Sequence, residues 1–480
     1  MILTHGQVKQ LGLRFLPFAD AASDALSLSQ LLRMSLFQIT VGMGMVMLLG
    51  TLNRVMIVEL GVPAMVVAFM IALPVLLAPF RALLGFKSDT YRSALGWCRV
   101  PYLWFGSMWQ MGGFAVMPFG LLVLSGEQAV GPAWAGEVLA ALSFLMAGFG
   151  LHMTQTAGLA LAADRATEET RPRVIALLYV MFLIGMGVSA LVVGVLLRDF
   201  SHERLVQVVQ GVSLAGLLIN LVALWKQEPV LPTSREERMR PKPKFCEAWT
   251  DLASGGHAGR LLAVVFLGTL AFNMQDVLLE PYGGEILGLS ISTTTTLTAL
   301  WAGGALLGFG LSANWLAQGY DPVRLAARGV LFGIAAFSAV IFSALISPPF
   351  LFFVGAGLIG FGGGIFAVAT LTSAMTLPLR GIAGHGLALG AWGAAQATAA
   401  GLAIAAGGAI RDGVNVLAIS GVLGDPLSGP ATGYSVVYHI EIGLLFATLI
   451  ALGPLVRLSF KRSSNPQTRT GKIGLADFPT

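Results

Sequence analysis

The chain has 480 residues, of which 56% are hydrophobic and only 11% are charged, and its mean hydropathy is +0.79. Soluble domains carry about 25% charged residues, so this composition excludes an ordinary soluble protein and predicts an all-α polytopic membrane protein. The formal net charge of +5 has a topological explanation, so nucleic acid is not predicted as a partner.

Twelve stretches of the chain are long and apolar enough to cross a bilayer, which requires about 20 mainly apolar residues. Small residues let the backbones of neighbouring membrane helices approach closely, and the spacings Gly304/Gly308 and Gly360/Gly364 fit that use. The predicted spans lie approximately at 34–57, 62–84, 101–124, 134–160, 174–197, 205–226, 259–282, 292–316, 327–347, 350–376, 383–408 and 434–457.

Positive charge is distributed unequally between the two sides of these spans. Cytoplasmic segments of membrane proteins carry an excess of Lys and Arg, so both termini are predicted to lie in the cytoplasm. The few cysteines, Cys98 and Cys246, fall on the same side, where thiols stay reduced. Of the 29 lysines and arginines, only four lie near the opposite side: Arg54, Arg198, Arg204 and Arg411.

A long polar segment divides the chain into two groups of six predicted spans. It is rich in proline and charge, which is typical of a linker, although FCEAWTDL within it could form a short surface helix. The predicted units are a cytoplasmic or interfacial N-terminal segment, a six-helix bundle, the cytoplasmic linker, a second six-helix bundle and a cytoplasmic tail, at 1–33, 34–226, 227–258, 259–457 and 458–480.

The two halves resemble each other. Gly85 precedes Asp89 after the second span, and Gly310 precedes Asn314 at the same spacing after the eighth. Twelve helices, a basic central loop and two related halves are the layout of the major facilitator superfamily. We therefore predict that fold, with two pseudo-symmetric six-helix halves.

The segment RALLGFKSDTYRSALGWCR resembles the signature that this superfamily carries between helices two and three. It supplies Gly85, Asp89, Arg92 and Arg99. The usual compact Asp-Arg/Lys-x-Gly-Arg pattern is stretched here. The stretching weakens the expectation that this loop gates alternating access in the ordinary way.

Two acids stand near the end of the seventh predicted span, in NMQDVLLEPYGGEILG. Asp276 and Glu280 share one helix face, and charges at membrane depth usually face the bundle interior. We predict that Arg54, at the pseudo-equivalent end of the first span, pairs with one of them and joins the halves, while 281–284 turn the chain at the surface. A proton- or substrate-coupling role and simple exposure at a helix end remain alternatives.

Helix four contains GLHMTQTAGLALAADR, in which His152 and Gln155 share one side. A membrane-embedded imidazole can bind a metal, including the magnesium of a chlorin, or transfer protons, and His152 is the candidate pigment ligand. The alternative is a packed, hydrogen-bonded histidine. No nucleotide-binding, metalloprotease or hydrolase motif occurs, so an enzyme is not predicted, and no resident metal is predicted.

Long phrases of the sequence resemble the PucC/LhaA family: GTLNRVMIVELGVPA (50–64), FRALLGFKSDTYRSALGWCRVPYLWFG (80–106), LAADRATEETRPRVIALLYVMFLIGMG (161–187) and FNMQDVLLEPYGGEILGLSI (272–291). The resemblance runs from about residue 10 to 460. It implies an assembly factor for light-harvesting complexes in the inner, intracytoplasmic photosynthetic membrane of purple bacteria.

The resemblance also implies partners and a ligand. The partners would be the light-harvesting α and β polypeptides, bacteriochlorophyll synthase or the reaction centre–antenna complex, and the lipid bilayer. Bacteriochlorophyll a would bind transiently. The core antenna, LH1, is favoured over the peripheral one, and delivery of pigment and scaffolding of polypeptides both stay open. The alternative function is a proton-coupled secondary transporter of a small solute.

Overall fold

The computed structural model describes residues 21–22, 26–52, 55–60, 62, 64–126, 132, 134–197, 200–234, 236, 243–254, 257–289, 291–344, 350–377 and 384–463. In these ranges the secondary structure is overwhelmingly helical. Arg54 lies outside the described residues, as do most of the predicted N-terminal segment and tail.

Fifteen α-helices follow one another in the described ranges. They are α1 (Leu28–Met45), α2 (Ala64–Leu76), α3 (Phe80–Thr90), α4 (Val100–Leu124), α5 (Ala135–Arg165), α6 (Arg171–Leu196), α7 (His202–Leu224), α8 (Phe245–Ser254), α9 (His257–Asn273), α10 (Leu279–Glu285), α11 (Ile291–Ala317), α12 (Pro322–Ser343), α13 (Phe350–Met375), α14 (His385–Ile419) and α15 (Ala431–Ser463).

These helices confirm the twelve predicted spans. Eleven candidate spans are recognised by length and hydropathy among the described residues. The remaining one, the eighth in chain order, is α11, whose 27 residues extend about 40 Å. Two of the twelve spans combine two α-helices each: α2 with α3, and α9 with α10. The arrangement is that of a multi-pass membrane protein.

Prolines explain one of the interrupted spans. Pro79 separates α2 from α3, because it has no backbone N–H to donate within a helix, and Pro74 lies inside α2. The first span continues beyond α1 as π-helical turns, Val46–Thr51 and Val55–Glu59.

The helices pack into two groups that meet along a few pairs. In the first half α4 packs on α5 and α7, and in the second α13 packs on α11 and α12; α3 with α14 and α6 with α11 connect the halves. The predicted glycine contacts are confirmed, since a Cβ on Gly304 would lie 2.0 Å from the Gly357 oxygen and one on Gly360 would lie 2.0 Å from the Trp301 oxygen.

The linker contains the short helix that the sequence anticipated, α8. Its Phe245 ring meets Phe86 of α3 edge-on, with 5.6 Å between ring centroids. Ala248 and Leu252 of α8 belong to a small apolar cluster with residues of α3 and with Leu387 of α14. Helix α8 therefore covers the place where the two halves touch.

Candidate functional site

The two halves are joined where α3 ends and α14 begins. We call this the basic end of the bundle, because the linker and the positively charged loops lie there. The Asp89 carboxylate accepts hydrogen bonds from the backbone amides of Gly386 and Leu387, at 2.9 and 2.8 Å. The first amides of a helix have no partner within it and carry partial positive charge, so an anion at that position stabilises the contact.

Arg99, the residue before α4, completes this contact. Its guanidinium is buried and donates to Asp89, to Ser88 Oγ at 2.6 Å and to Asp164 Oδ2 of α5 at 3.0 Å. Burial alone would lower the pKa of Arg99, but the carboxylates of Asp164 and Asp89 raise it above its ordinary value. His385 Nδ1 lies 3.3 Å from Asp164 Oδ1, so α14 also contacts α5 here.

Glycines allow this approach. A Cβ on Gly85 would lie 1.8 Å from the Gly386 carbonyl oxygen, and one on Gly386 would lie 2.5 Å from Arg99 Nη1. The halves are therefore in direct backbone contact, and the basic end is closed.

The stretched signature is partly helical. Gly85 and Asp89 lie within the last turns of α3, not in a loop, and Arg99 returns to Asp89 because the intervening segment folds back to the start of α4. Arg92 lies in that segment and is half-buried. The structure thus brings three of the four predicted residues together and places them at the inter-half contact.

The predicted pigment ligand has a structural partner. His152 Nε2 lies 2.8 Å from the Pro74 carbonyl oxygen, and since a carbonyl can only accept, Nε2 carries the proton. This bond joins α5 to α2, and only Nδ1 keeps a lone pair. Gln155 is half-buried on the same helix. The geometry matches the packed-histidine interpretation and leaves one nitrogen for a metal.

A buried arginine beside His152 was not singled out from the sequence. Arg81 of α3 is 2% exposed, donates from Nε to Thr156 Oγ1 at 3.1 Å, and leaves Nη2 without a partner among the described residues. Its guanidinium lies against Gly393 of α14, where a Cβ would be 2.4 Å from Cζ. A charge inside the second predicted span was the available signal, because such residues are rare and functional.

The acids of the seventh span lie where that span is interrupted. Asp276 is in a 3-10 turn, Met274–Val277, between α9 and α10; its side chain is exposed and accepts from Gln275 Nε2. The side chain of Glu280 lies outside the described set, as does Arg54, so the predicted inter-half ion pair stays a prediction. The expected turn at 281–284 is wrong, because those residues continue α10 and Tyr282 is buried.

An ion pair was found elsewhere on this span. Arg411 Nη2 of α14 lies 2.6 Å from Glu285 Oε2, at the end of α10, and 2.7 Å from the Tyr434 hydroxyl of α15. All three helices belong to the second half. The pair therefore fixes α10 within its own half and does not join the halves.

An aromatic cavity opens on the surface between α4 and α7, near the basic end. Its volume is about 460 Å³, within the range of small-molecule sites. Trp104, Phe105 and Trp225 line it and are 36%, 53% and 62% exposed. Because α4 and α7 are candidate spans, the cavity opens on the side of the bundle.

One edge of the cavity is polar. Lys226 and Gln227 line it, and the Glu228 carboxylate accepts from the backbone amides of Cys98, Arg99 and Val100 at 3.0–3.3 Å, which caps α4. The indole N–H of Trp97 is buried without a partner in the described ranges. An apolar floor with a polar edge fits an amphiphile with a flat ring.

The two cysteines should react at different rates with a maleimide, because the thiolate is the nucleophile. Burial and the carboxylate of Glu228 raise the pKa of the Cys98 thiol, whereas Cys246 is exposed. We expect Cys246 to be labelled about tenfold faster at neutral pH, and the Cys98 rate to rise as the medium becomes alkaline.

These rates are measured on the Cys98→Ser and Cys246→Ser variants, each of which keeps one of the two cysteines, by stopping the maleimide reaction at successive times. With an impermeant maleimide on sealed membranes, both should react from the cytoplasmic side. Faster labelling of Cys98 would contradict its burial, and labelling from the opposite side would contradict the predicted topology.

Twelve spans in two halves, closed together at one end, define a membrane protein of the major facilitator fold. No group of three or more His, Cys, Asp and Glu side chains that could hold a metal ion occurs in the described part of the chain. The family model of the PUCC protein matches residues 51–460. The chain belongs to that family.

Similar proteins align with this chain over most or all of its length. An "uncharacterized protein in puhA-bchM intergenic region" of Rhodobacter capsulatus is 63% identical over 480 residues, all of both chains. Protein PucC of Rhodovulum sulfidophilum is 52% identical over 414 residues, 85% of this chain and 91% of that one. A bacterial homologue of the iron transporter ferroportin in its outward-facing state is 14% identical, with a TM-score of 0.68, over 91% of this chain and 99% of the other; this likeness shows the fold alone.

Proposed function

We propose that this protein is an assembly factor for light-harvesting complexes of purple phototrophic bacteria. It acts in the inner, intracytoplasmic membrane, with both termini in the cytoplasm. Its partners are the α and β antenna polypeptides, with bacteriochlorophyll synthase or the reaction centre–antenna complex as further partners. Membership of the PUCC protein family over residues 51–460 is the observation that carries the proposal.

The core antenna, LH1, is the favoured target. The chain is more similar to the intergenic-region protein, at 63% identity, than to the PucC protein, at 52%. This difference supports a branch distinct from PucC, and hence a different antenna complex. Disruption of the gene tests this target, with the core and peripheral antenna absorption bands quantified in the same membranes. We expect loss of the core band alone. Loss of the peripheral band alone would overturn the assignment to the core antenna.

The aromatic cavity supports the pigment-delivering form of this function. Bacteriochlorophyll a is a long-tailed amphiphile, so its ring fits a lateral cavity that leaves the tail in lipid. Stacking on Trp104 and Trp225 would hold the ring. We favour this cavity over His152, whose Nε2 is already bonded to Pro74.

Pigment bound to the purified protein distinguishes the two sites. The protein is purified in mild detergent from a phototroph blocked in antenna polypeptide synthesis, and its bacteriochlorophyll is measured by absorption. We expect bound pigment that is reduced several-fold in Trp104→Ala and Trp225→Ala. The matched control is Trp134→Ala, because Trp134 is 61% exposed and lies at the start of α5.

Other outcomes have definite meanings. Pigment that is lost in His152→Ala and kept in the cavity variants would place the ligand on α5. No pigment in the wild type, together with co-purification of antenna polypeptides from the unblocked strain, would indicate a scaffold instead of a carrier.

A proton-coupled transporter of a small solute is the second candidate. The closed basic end, with direct contact of Gly85 and Gly386, is one of the two states that alternating access requires. Uptake of protons by reconstituted vesicles, dependent on an added solute, would support transport; absence of any solute-dependent proton movement across a broad solute panel would leave assembly alone.

A further inference from the structure

The seventh span is interrupted inside the bundle, where its backbone meets two other spans. The 3-10 turn Met274–Val277 separates α9 from α10 and packs on α14 and α15. A Cβ on Gly407 of α14 would lie 2.5 Å from the Met274 carbonyl oxygen, so the approach is close. Interrupted helices in transporters commonly present polar groups to a bound ion or substrate.

A carboxylic acid of the last span faces this turn. Glu441 of α15 is 0% exposed, and neither of its carboxyl oxygens has a hydrogen-bond partner of good geometry among the described residues. It lies ten residues after the start of α15, or about 15 Å along the helix, near the middle of a hydrocarbon core of about 30 Å. The hydroxyl of Tyr438, one turn earlier, is also buried and unpartnered in the described structure.

The Glu441 carboxyl group has an acidic neighbour. Asp276 is close enough for the two charges to interact, and the backbone N–H of Gln275 lies beside the Glu441 carboxyl. Asp276 lies deep in the bundle and yet keeps exposed surface. At this interruption of the helix, Glu441 is therefore enclosed and Asp276 is accessible.

We propose that Asp276 and Glu441 form a proton-binding site at the break in the seventh span, with Glu441 holding the proton in this closed conformation and Asp276 exchanging it with water. An unpaired carboxylate in an apolar interior is so costly that it takes up a proton instead. In the site a proton adds to one carboxylate oxygen of Glu441, giving a neutral acid that can donate a hydrogen bond.

The side chains around the site favour neutralisation of Glu441 by a proton over its pairing with a cationic side chain. Among the described residues, Asp276 and Tyr438 are the titratable groups that interact with Glu441, Tyr434 and Tyr282 lie next to Tyr438, and none of the four is cationic. Arg411 contacts the Tyr434 ring and is engaged by Glu285 and Asp412. Tyr434 precedes Glu441 by two helical turns, so Arg411 lies about 10 Å away along α15.

A metal ion is the weaker alternative. Magnesium and calcium take six or more oxygen ligands, whereas the described residues supply two carboxylates at this site, and the Gln275 backbone N–H beside them is a hydrogen-bond donor that cannot bind a cation. The site is independent of the aromatic cavity and of the assembly function, so either can fail without the other.

Reaction with dicyclohexylcarbodiimide tests the proton directly, because this apolar reagent modifies protonated carboxyl groups. The full-length protein in mild detergent is treated at neutral and mildly alkaline pH, and modified peptides are quantified by mass spectrometry. We expect selective modification of Glu441, abolished in Glu441→Gln. Asp276→Asn should reduce it about tenfold at alkaline pH, because the neighbouring negative charge no longer favours the protonated form. Glu285→Gln is the control, because Glu285 lies on the seventh span but is paired with Arg411. It should leave the modification of Glu441 unchanged.

Thermal unfolding provides a second measurement that does not need the reagent to enter. Glu441→Gln keeps the shape of the protonated acid. A proton held only in the folded state stabilises it at low pH, and that stability is lost as the pH rises. The wild-type midpoint should therefore fall relative to that of Glu441→Gln as the pH rises.

Two results would overturn the proposal. A wild-type midpoint above that of Glu441→Gln at every pH would show that the carboxylate is charged and paired. Protection of Glu441 from the reagent by millimolar NaCl or MgCl2, with matching stabilisation of the wild type alone, would show that a metal cation occupies the site.

Discussion

Replacement of Arg99 by alanine is expected to destabilise the protein by about 3–5 kcal/mol, the usual cost of removing one partner from a buried ion pair. Arg99 is 5% exposed and is the cation for Asp89 and Asp164. Without it, Asp89 keeps only the helix amides of α14 and Asp164 keeps only the neighbouring His385 ring, so two carboxylates face each other between α3 and α5 without their shared cation. The change should appear as a lower midpoint of thermal unfolding in mild detergent.

A double variant separates charge from packing. Arg99→Ala combined with Asp89→Asn removes one of the stranded charges, so the pair should be less destabilised than the sum of the single variants. Lys87→Ala, an exposed cation on the last turn of α3, is the control and should change the midpoint little. Strictly additive losses from Arg99→Ala and Asp89→Asn would contradict the bridge.

The spans were predictable because lipid permits few alternatives. Backbone groups in a bilayer must be satisfied within each helix, so hydropathy over about 20 residues locates a span without knowledge of its neighbours. The glycine contacts of α11 with α13 were predictable from spacing, because small residues four positions apart let two membrane helices approach closely. The end of α14 was missed: it continues to Ile419, beyond the predicted 408, because its last turns still carry apolar residues.

The inter-half contact was only partly predictable. The sequence pointed to Gly85, Asp89 and Arg99, but linear spacing gave no indication that Arg99 returns to Asp89 or that both meet the start of α14. Asp89 binds Gly386 and Leu387, almost 300 positions along the chain. Such a contact depends on how the halves pack, and no local pattern encodes it.

The seventh span shows where local turn chemistry misleads. Pro281 and the following glycines predicted a turn, but Pro281 occupies the first turn of α10, where a missing N–H costs little. Tyr282 then packs against Phe352, Tyr434 and Tyr438, and this burial holds 281–284 helical. The interruption falls one turn earlier, at the acid itself, which brings Asp276 next to Glu441.

Gly85→Ala is expected to open the basic end of the bundle. The new methyl carbon would lie 1.8 Å from the Gly386 carbonyl oxygen, where ordinary contact begins at 3.4 Å. Because the obstacle is backbone on both sides, no rotamer relieves it, and α3 and α14 must separate by about 1.6 Å. The bonds from Gly386 and Leu387 to Asp89, now 2.9 and 2.8 Å, would then exceed hydrogen-bond length.

The closed state should lose about 1–3 kcal/mol through this overpacking, which shifts its population against an open state by roughly fivefold to 150-fold. Spin labels at Lys87→Cys and Gln318→Cys, exposed positions at the basic end of each half, report the distance between the halves when Cys98 and Cys246 are replaced by serine. We expect a longer, broader distance distribution in Gly85→Ala.

The pseudo-equivalent glycine is the matched control. Gly310 occupies the corresponding position in α11, and no atom lies within 4 Å of a Cβ placed there. Gly310→Ala should keep the wild-type distance and gain stability from the better helix former, by up to about 1 kcal/mol. An unchanged distance in both variants would mean that α3 and α14 yield without opening. Opening in Gly85→Ala but not in Gly310→Ala would show that only the first of the two pseudo-equivalent glycines holds the halves closed.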